Sequence, residues 1–295
     1  MSESSAHRGI LVGVDGSRAA TAAVAWATRE AAMHNVPLTL IHVVAPVMLA
    51  GEWAETPVPT DFFQWQDEEA KRFLAAARET VADCSRVAAP PMVHSVVLHG
   101  GTVGALVDLS KDADMMAVGS RGEGAFSRAL LGSVSTALVH HAHCPVAIIH
   151  DDAPQLSEQA PVLVGIDGSP ASLAATEIAF DEASRRGVEL VALHAWQDGS
   201  MLELPGLDLE TMKVQAEEAL AERLAGWQER YPDVTVRRVV ACDQPAQQLV
   251  EHAKDAQLVV VGSHGRGGFA GMLLGSVSTA VVHTVRSATI VARRA

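Results

Sequence analysis

The chain has 295 residues, a hydrophobic fraction of 48% and a formal net charge of −13. The length suits two ordinary domains with real cores. The acidic balance speaks against a nucleic-acid backbone as partner, which needs clustered Lys and Arg, and no apolar run reaches the roughly 18 residues of a membrane span.

From the start, residues 1–7 lack the basic and apolar regions of a signal peptide, and lipidation signals are absent. Three cysteines, Cys84, Cys144 and Cys242, form no CxxC and suggest a reduced compartment; a cytoplasmic protein is the expectation. Short apolar runs then occur near residues 10–14, 38–43, 93–98, 115–119 and 146–149. Between them lie longer amphipathic stretches near 18–34, 66–87, 102–111 and 133–141. Near-continuous apolar strands alternating with helices predict an α/β fold with a parallel sheet covered on both faces. Right-handed crossovers make it doubly wound, or Rossmann-like.

After residue 161 the same order begins again. Gly13-Val-Asp-Gly-Ser17 returns as Gly165-Ile-Asp-Gly-Ser169, and Leu40-Ile-His-Val43 has its partner in Ala192-Leu-His-Ala195. Asp15 and Asp167 lie 152 positions apart but Gly119 and Gly262 only 143, so the first copy carries 9 extra residues, placed here in the Pro- and aromatic-rich stretch 45–65. Residues 1–150 and 161–295 read as two copies of one domain, joined by the acidic, Pro-containing linker 151–160.

In such a sheet ligands bind beyond the carboxyl ends of strands where strand order reverses. Two loops per copy qualify: the one holding Asp15 or Asp167, and a glycine-rich one after the fourth strand. The latter reads Gly119-Ser120-Arg121-Gly122, nine residues, Gly132-Ser133, and again Gly262-Ser263-His264-Gly265, nine residues, Gly275-Ser276. Glycines tolerate positive φ and let consecutive N–H groups turn toward an anion. Gly132 permits close approach to the backbone. Ser133 opens a helix whose free N–H groups and dipole favour negative charge, and the hydroxyls of Ser133 and Ser135 are candidate extra donors. Ser133 read simply as an N-cap is the plainer alternative. Ser17 and Ser169 stand closer to their helix starts than the aspartates do, and Pro170 suits a first helical turn. The aspartates are then available to a base, a ribose or a magnesium ion.

These residues resemble the universal stress protein family in its tandem-domain form, whose ATP signature is Gly, two residues, Gly, nine residues, Gly, then Ser or Thr. The resemblance spans about 9–149 and 161–293. It implies two five-stranded parallel sheets in order 3-2-1-4-5, related by a pseudo-twofold axis, with ATP in each domain. For the first site it implies Gly13, Val14, Asp15, Val43, Gly119, Ser120, Arg121 and Gly122, then Gly124, Arg128, Gly132, Ser133, Val134 and Ser135. For the second it implies Gly165, Ile166, Asp167, Ala195, Gly262, Ser263, His264 and Gly265, then Arg266, Gly267, Gly268, Gly275, Ser276, Val277 and Ser278. Family members mostly act as regulators in stress, dormancy or low oxygen, with slow or absent hydrolysis.

The copies differ after the signature's second glycine: Glu123-Gly-Ala against Arg266-Gly-Gly. A carboxylate near phosphates, even with Arg121 and Arg128 to compensate, makes the second site the expected tighter one. His140, His141, His143 and Cys144 look like a metal cluster, but consecutive helical residues diverge and the second copy keeps one of the four. No metal is expected there; histidines at a helix C-terminus are explained by its dipole. His42 and His194 read as sheet-end histidines, with a base contact as the alternative. The Walker A lysine is missing, and no catalytic residue is assigned. The leading expectation is an ATP-binding regulator, with magnesium as an optional companion and a homodimer or an unidentified protein as partner. The alternatives are a slow ATPase or adenylyl or phosphoryl transferase, which would use Asp15 with magnesium, and a chaperone-like scaffold.

Overall fold

The computed structural model describes residues 9–46, 60–85, 91–122, 131–195, 209–266 and 273–293. The chain divides into two compact units, Met1–Cys144 with Ile148–Asp151, and Pro145–Ala147 with Asp152–Ala295. Among the described residues no helix is long and apolar enough to cross a membrane.

The first unit runs β1 (Ile10–Gly13), α1 (Arg18–His34), β2 (Leu38–Val44), α2 (Thr60–Cys84), β3 (Val93–His99), α3 (Thr102–Leu109), β4 (Met115–Gly119), α4 (Ser133–His141) and β5 (Val146–Ile149). The second runs β6 (Val162–Gly165), α5 (Pro170–Arg186), β7 (Leu190–Ala195), α6 (Leu209–Arg230), β8 (Val236–Ala241), α7 (Pro245–His252), β9 (Leu258–Gly262), α8 (Ser276–Thr284) and β10 (Ala288–Ala292). Single 3-10 turns, Ser110–Asp112 and Ala253–Asp255, follow α3 and α7.

Strand order is β3-β2-β1-β4-β5 in the first unit and β8-β7-β6-β9-β10 in the second, the same 3-2-1-4-5 winding. The pairs of β1 with β2 and β4, β6 with β7 and β9, and β2–β3, β7–β8 and β9–β10 are all parallel. Strand burial explains the apolar runs. Ile10, Leu11 and Val12 of β1 and Val162, Leu163 and Val164 of β6 are all buried, as a strand covered on both faces requires. Val–Ile–Leu side chains on both faces also exclude the polar alternation of a half-wetted sheet.

Local signals fix the helix that follows each first strand. Ser17 takes extended geometry and its Oγ accepts the Ala20 N–H; Ser169 does the same for Ser172, with Pro170 in the first turn. Both helices stop on a left-handed residue, Asn35 (φ 54°) and Gly187 (φ 65°), which the chain tolerates best at Asn and Gly. α2 starts at Thr60 rather than near residue 66, so part of the supposed insertion at 45–65 is helix; residues 47–59 lie outside the described part.

Candidate nucleotide site

Because β1 and β4 are neighbours (Ile10 opposite Met115), the loops leaving them run side by side at the sheet's carboxyl edge. One serine stitches them together. The Ser17 N–H donates to Asp15 Oδ1 (3.0 Å), and its hydroxyl donates to the Arg121 carbonyl (3.3 Å). The second unit repeats the device: Ser169 N–H to Asp167 Oδ1 (2.8 Å) and Ser169 Oγ to the His264 carbonyl (3.1 Å). There the Arg266 N–H also donates to Asp167 Oδ2 (3.1 Å). The aspartates are therefore not simply left over once the serines cap. Asp167 clamps the first-strand loop to the glycine-rich loop, and Asp15 accepts from its own loop in the same way.

The glycines work differently from the expectation. The positive-φ glycines among the described residues are Gly9, Gly16, Gly100, Gly168 and Gly187, so Gly119 and Gly122 do not supply left-handed backbone. What they supply is the absence of a Cβ. A Cβ on Gly119 would stand 2.6 Å from the Ala19 carbonyl carbon and 2.7 Å from the Ala20 nitrogen, inside the start of α1. On Gly122 it would stand 2.6 Å from Asp15 Oδ2. Gly262 and Gly265 repeat both approaches, against Ala171 (2.7 Å) and Asp167 Oδ2 (2.7 Å).

The third glycine is spent otherwise. Gly132 is the N-cap of α4 in extended geometry (φ −75°, ψ 162°), and Gly275 is that of α8 (φ −74°, ψ 156°). Neither has a side chain to cap with, so the first-turn N–H groups keep their unmet donors and the positive end of the dipole. Ser133 and Ser276 are first helical residues, exposed or nearly so, and not caps. Ser135 is buried and its hydroxyl already donates to the Gly119 carbonyl (2.6 Å); Ser278 does so to Gly262 (2.5 Å). These two hydroxyls thus tie helix to strand and have no proton left to offer a phosphate.

A cleft of about 490 Å³ opens where these parts meet in the first unit. It gathers Gly13, Val14, Asp15, Val43, Gly119, Arg121, Gly122, Gly132, Ser133, Val134 and Ser135. Ser120 is not among the lining residues; its side chain is fully buried. Arg121 lines the cleft while its guanidinium reaches Asp151 Oδ1 at 3.5 Å. Gly124 and Arg128, with Glu123, lie outside the described residues, as do Gly267 and Gly268. The cleft is also lined by His42, for which a base contact was the alternative reading, and by Ile41, Thr102, Leu106 and Leu131, which sequence reasoning did not assign to it. Thr102 and Leu106 are one helical turn apart at the start of α3, a spacing that was legible but carried no motif.

His42 Nδ1 lies 2.7 Å from the Val14 carbonyl, and His194 Nδ1 2.6 Å from that of Ile166. A carbonyl only accepts, so Nδ1 carries the proton in both rings and Nε2 is the acceptor when the ring is neutral. Burial pushes the His194 pKa below the usual histidine range, against the opposing bond to Ile166; Arg223 and Arg266 push it the same way as burial. His140 and His141 have rings 6.2 Å apart. Among the described residues, no close group of three potential ligands includes them, His143 or Cys144.

The universal stress protein family model matches residues 7–150 and 160–293. The chain belongs to the universal stress protein family. It is 52% identical over 295 residues to Universal stress protein Rv2623 of Mycobacterium tuberculosis (strain H37Rv), covering 99% of each chain, and 50% identical over 294 residues to one from Mycolicibacterium smegmatis, again with 99% of each covered. Among solved structures, a universal stress protein from Archaeoglobus fulgidus superposes with a TM-score of 0.73 at 21% identity, covering 98% of this chain and 99% of that one, a likeness of fold.

Within this family frame the two units are not copies at their sheet edges. In the second, Leu249 Cδ1 stands 3.1 Å from the Cβ position of Gly165; its counterpart Leu106 has no atom within 4 Å of the Cβ position of Gly13. The Leu249 side chain therefore closes over Gly165, where the matching Leu106 leaves Gly13 open. A cleft of about 350 Å³ in the second unit is lined by Ser169, Pro170, Ala171, Ser263, His264, Gly265 and Arg293. Gly165, Ile166, Asp167, Ala195, Gly262, Gly275, Ser276, Val277 and Ser278 hold the corresponding positions around β6, β7, β9 and α8 but do not line it.

Proposed function

We propose that the chain is an ATP-binding regulator with one nucleotide site per unit, and that it reports nucleotide state to a protein partner through the segments around the clefts, residues 45–65 in particular. The observation that carries this reading is the uncapped N-terminus of α4, opening at Gly132 into a cleft walled by apolar strand ends, Asp15, His42, Arg121 and the start of α3. Its volume falls in the range of small-molecule sites. Ile41 and Val43 would frame the base, Asp15 would face the ribose, and the first turn of α4 would take the phosphates, with magnesium as an optional companion of the phosphate chain. An anion at a bare helix N-terminus gains both hydrogen bonds and dipole energy, whatever the net charge of the chain.

The test is direct. Small molecules released on denaturing the purified protein are identified by mass spectrometry, and unfolding is followed with and without excess ATP. At a hundredfold its dissociation constant, ATP adds about 2.7 kcal/mol to the stability of the unit that binds it. A protein that releases no nucleotide and unfolds identically with ATP present refutes the reading.

A further inference from the structure

Position 73 of α2 and position 223 of α6 are structural counterparts. Each precedes a buried leucine, Leu74 or Leu224, and each lies against the glycine that follows the site aspartate, Gly16 or Gly168. Their chemistry is opposite. Phe73 lays its ring beside Gly16, with its centroid 5.4 Å from that of His42. Arg223 instead places its guanidinium carbon 3.0 Å from where a Gly168 Cβ would be, and Arg266 Nη2 lies 2.7 Å from that same point.

Two guanidiniums thus converge on one turn of backbone. Arginine does not escape such crowding by deprotonating. Burial lowers the proton affinity of Arg223 first and Arg266 lowers it further, with Asp167 and Glu222 opposing. The Asp167 carboxylate is already shared between the N–H groups of Ser169 and Arg266. Among the described residues, Nη1 of Arg223 is buried without a hydrogen-bond partner. Arg223 as a whole is only partly buried, but this one N–H donor is shielded from water and unmet, a cost that ends when an anion accepts from it.

We infer that Arg223 and Arg266 form an anion subsite at Gly168, in the second unit only, that takes a phosphate group. It rests on the nucleotide reading for one point, that the phosphate arrives as part of ATP; a free polyphosphate has the same chemistry. Phe73 gives the first unit no such subsite. The second unit then discriminates between ligands by their phosphate charge more steeply than the first, which has only its open helix end for the phosphates.

Calorimetric titration of the full chain with ATP, adenosine and inorganic tripolyphosphate tests this. The variants are Arg223→Phe, which installs the first unit's residue, and Arg223→Met, which keeps an unbranched side chain against Gly168; circular dichroism checks the fold of each. In either folded variant, ATP and tripolyphosphate bind the second unit about tenfold or more weakly than in the wild type, as expected for losing a charge-assisted hydrogen bond, while adenosine binding is unchanged. If ATP binds and both variants leave ATP and tripolyphosphate affinities at wild-type values, the subsite is refuted and the nucleotide reading stands. If the wild type binds tripolyphosphate but not ATP, and the variants lose it, the subsite stands and the nucleotide reading falls. A wild type that binds neither overturns both.

Discussion

Gly119→Ala places a methyl group 2.6 Å from the Ala19 carbonyl carbon, 2.7 Å from the Ala20 nitrogen and 2.8 Å from the Ala19 Cβ. Two of these three atoms are helix backbone, so no rotamer change relieves the contact. α1 must lift from β4 by roughly an ångström to restore ordinary van der Waals separation, and Ser17 resists because it both caps the helix and bonds the Arg121 carbonyl. Overpacking of this kind costs about 1–3 kcal/mol. For a unit of this size, a loss of about 2 kcal/mol lowers the midpoint of thermal unfolding by about 4–8 °C. Differential scanning calorimetry without nucleotide reads the effect, and Gly262→Ala, with its methyl group 2.7 Å from the Ala171 carbonyl carbon, is its counterpart in the second unit. A Gly119→Ala protein that unfolds at the wild-type temperature would refute the account of the glycine as a packing device. The same substitution is a poor probe of nucleotide binding, because any loss of ligand would follow from the displaced helix.

Ser133→Asp adds a carboxylate at the first residue of α4, where it favours the dipole by about 0.3–1 kcal/mol yet repels a phosphate; stability of the first unit without ligand is expected to hold or rise while its stabilisation by ATP, read by hydrogen exchange within that unit, disappears, and retained ATP protection of the first unit counts against the phosphate site there. Asp167→Ala removes the acceptor shared by the Ser169 and Arg266 amides, so hydrogen exchange at both should accelerate; unchanged protection would mean the loops are held by other bonds. His194 is depressed below its unfolded pKa of about 6.5. The folded unit therefore binds fewer protons than the unfolded chain: stability is fully retained above that value and is lost as the pH falls below it and on through the lower folded pKa. Denaturation at stepped pH should show a decline in the wild type that is smaller in His194→Gln, and parallel profiles would refute it.

The order of elements was legible because continuous apolar strands and amphipathic helices leave different periods, and because Ser17, Ser169 and Pro170 mark helix starts by local chemistry. Strand order was not read from the residues but came with the family resemblance, and the pairing of β1 with β4 bears it out. The division of labour within the signature was not legible. Spacing says where glycines fall, but only packing says whether a missing Cβ makes room for a ligand or for the protein itself. Ser135 and Ser278 illustrate the same limit: a serine in the first turn of a helix reads as a donor, yet its proton is committed to the strand that precedes the loop. Arg223 carried no local signal, since it stands on a surface helix, far along the chain from the loop it reaches.

That division bears on how much a preserved signature can mean. Gly119 and Gly122 answer to α1 and to Asp15, so selection for a stable sheet edge is enough to hold them whether or not anything binds. Gly132 is under no such constraint: the nearest atoms to its missing Cβ are 3.4–3.6 Å away, an ordinary contact, and an N-cap with a side chain would satisfy the helix better. A glycine at that position therefore leaves α4 less well capped than serine or aspartate would, a cost the fold does not require. The cost makes sense if the donors are to be met from outside the chain. Gly275 repeats the choice at α8, so both units keep an open helix end while differing at positions 73 and 223. The shared feature argues for one class of ligand in both units, and the differing one for unequal discrimination between members of that class.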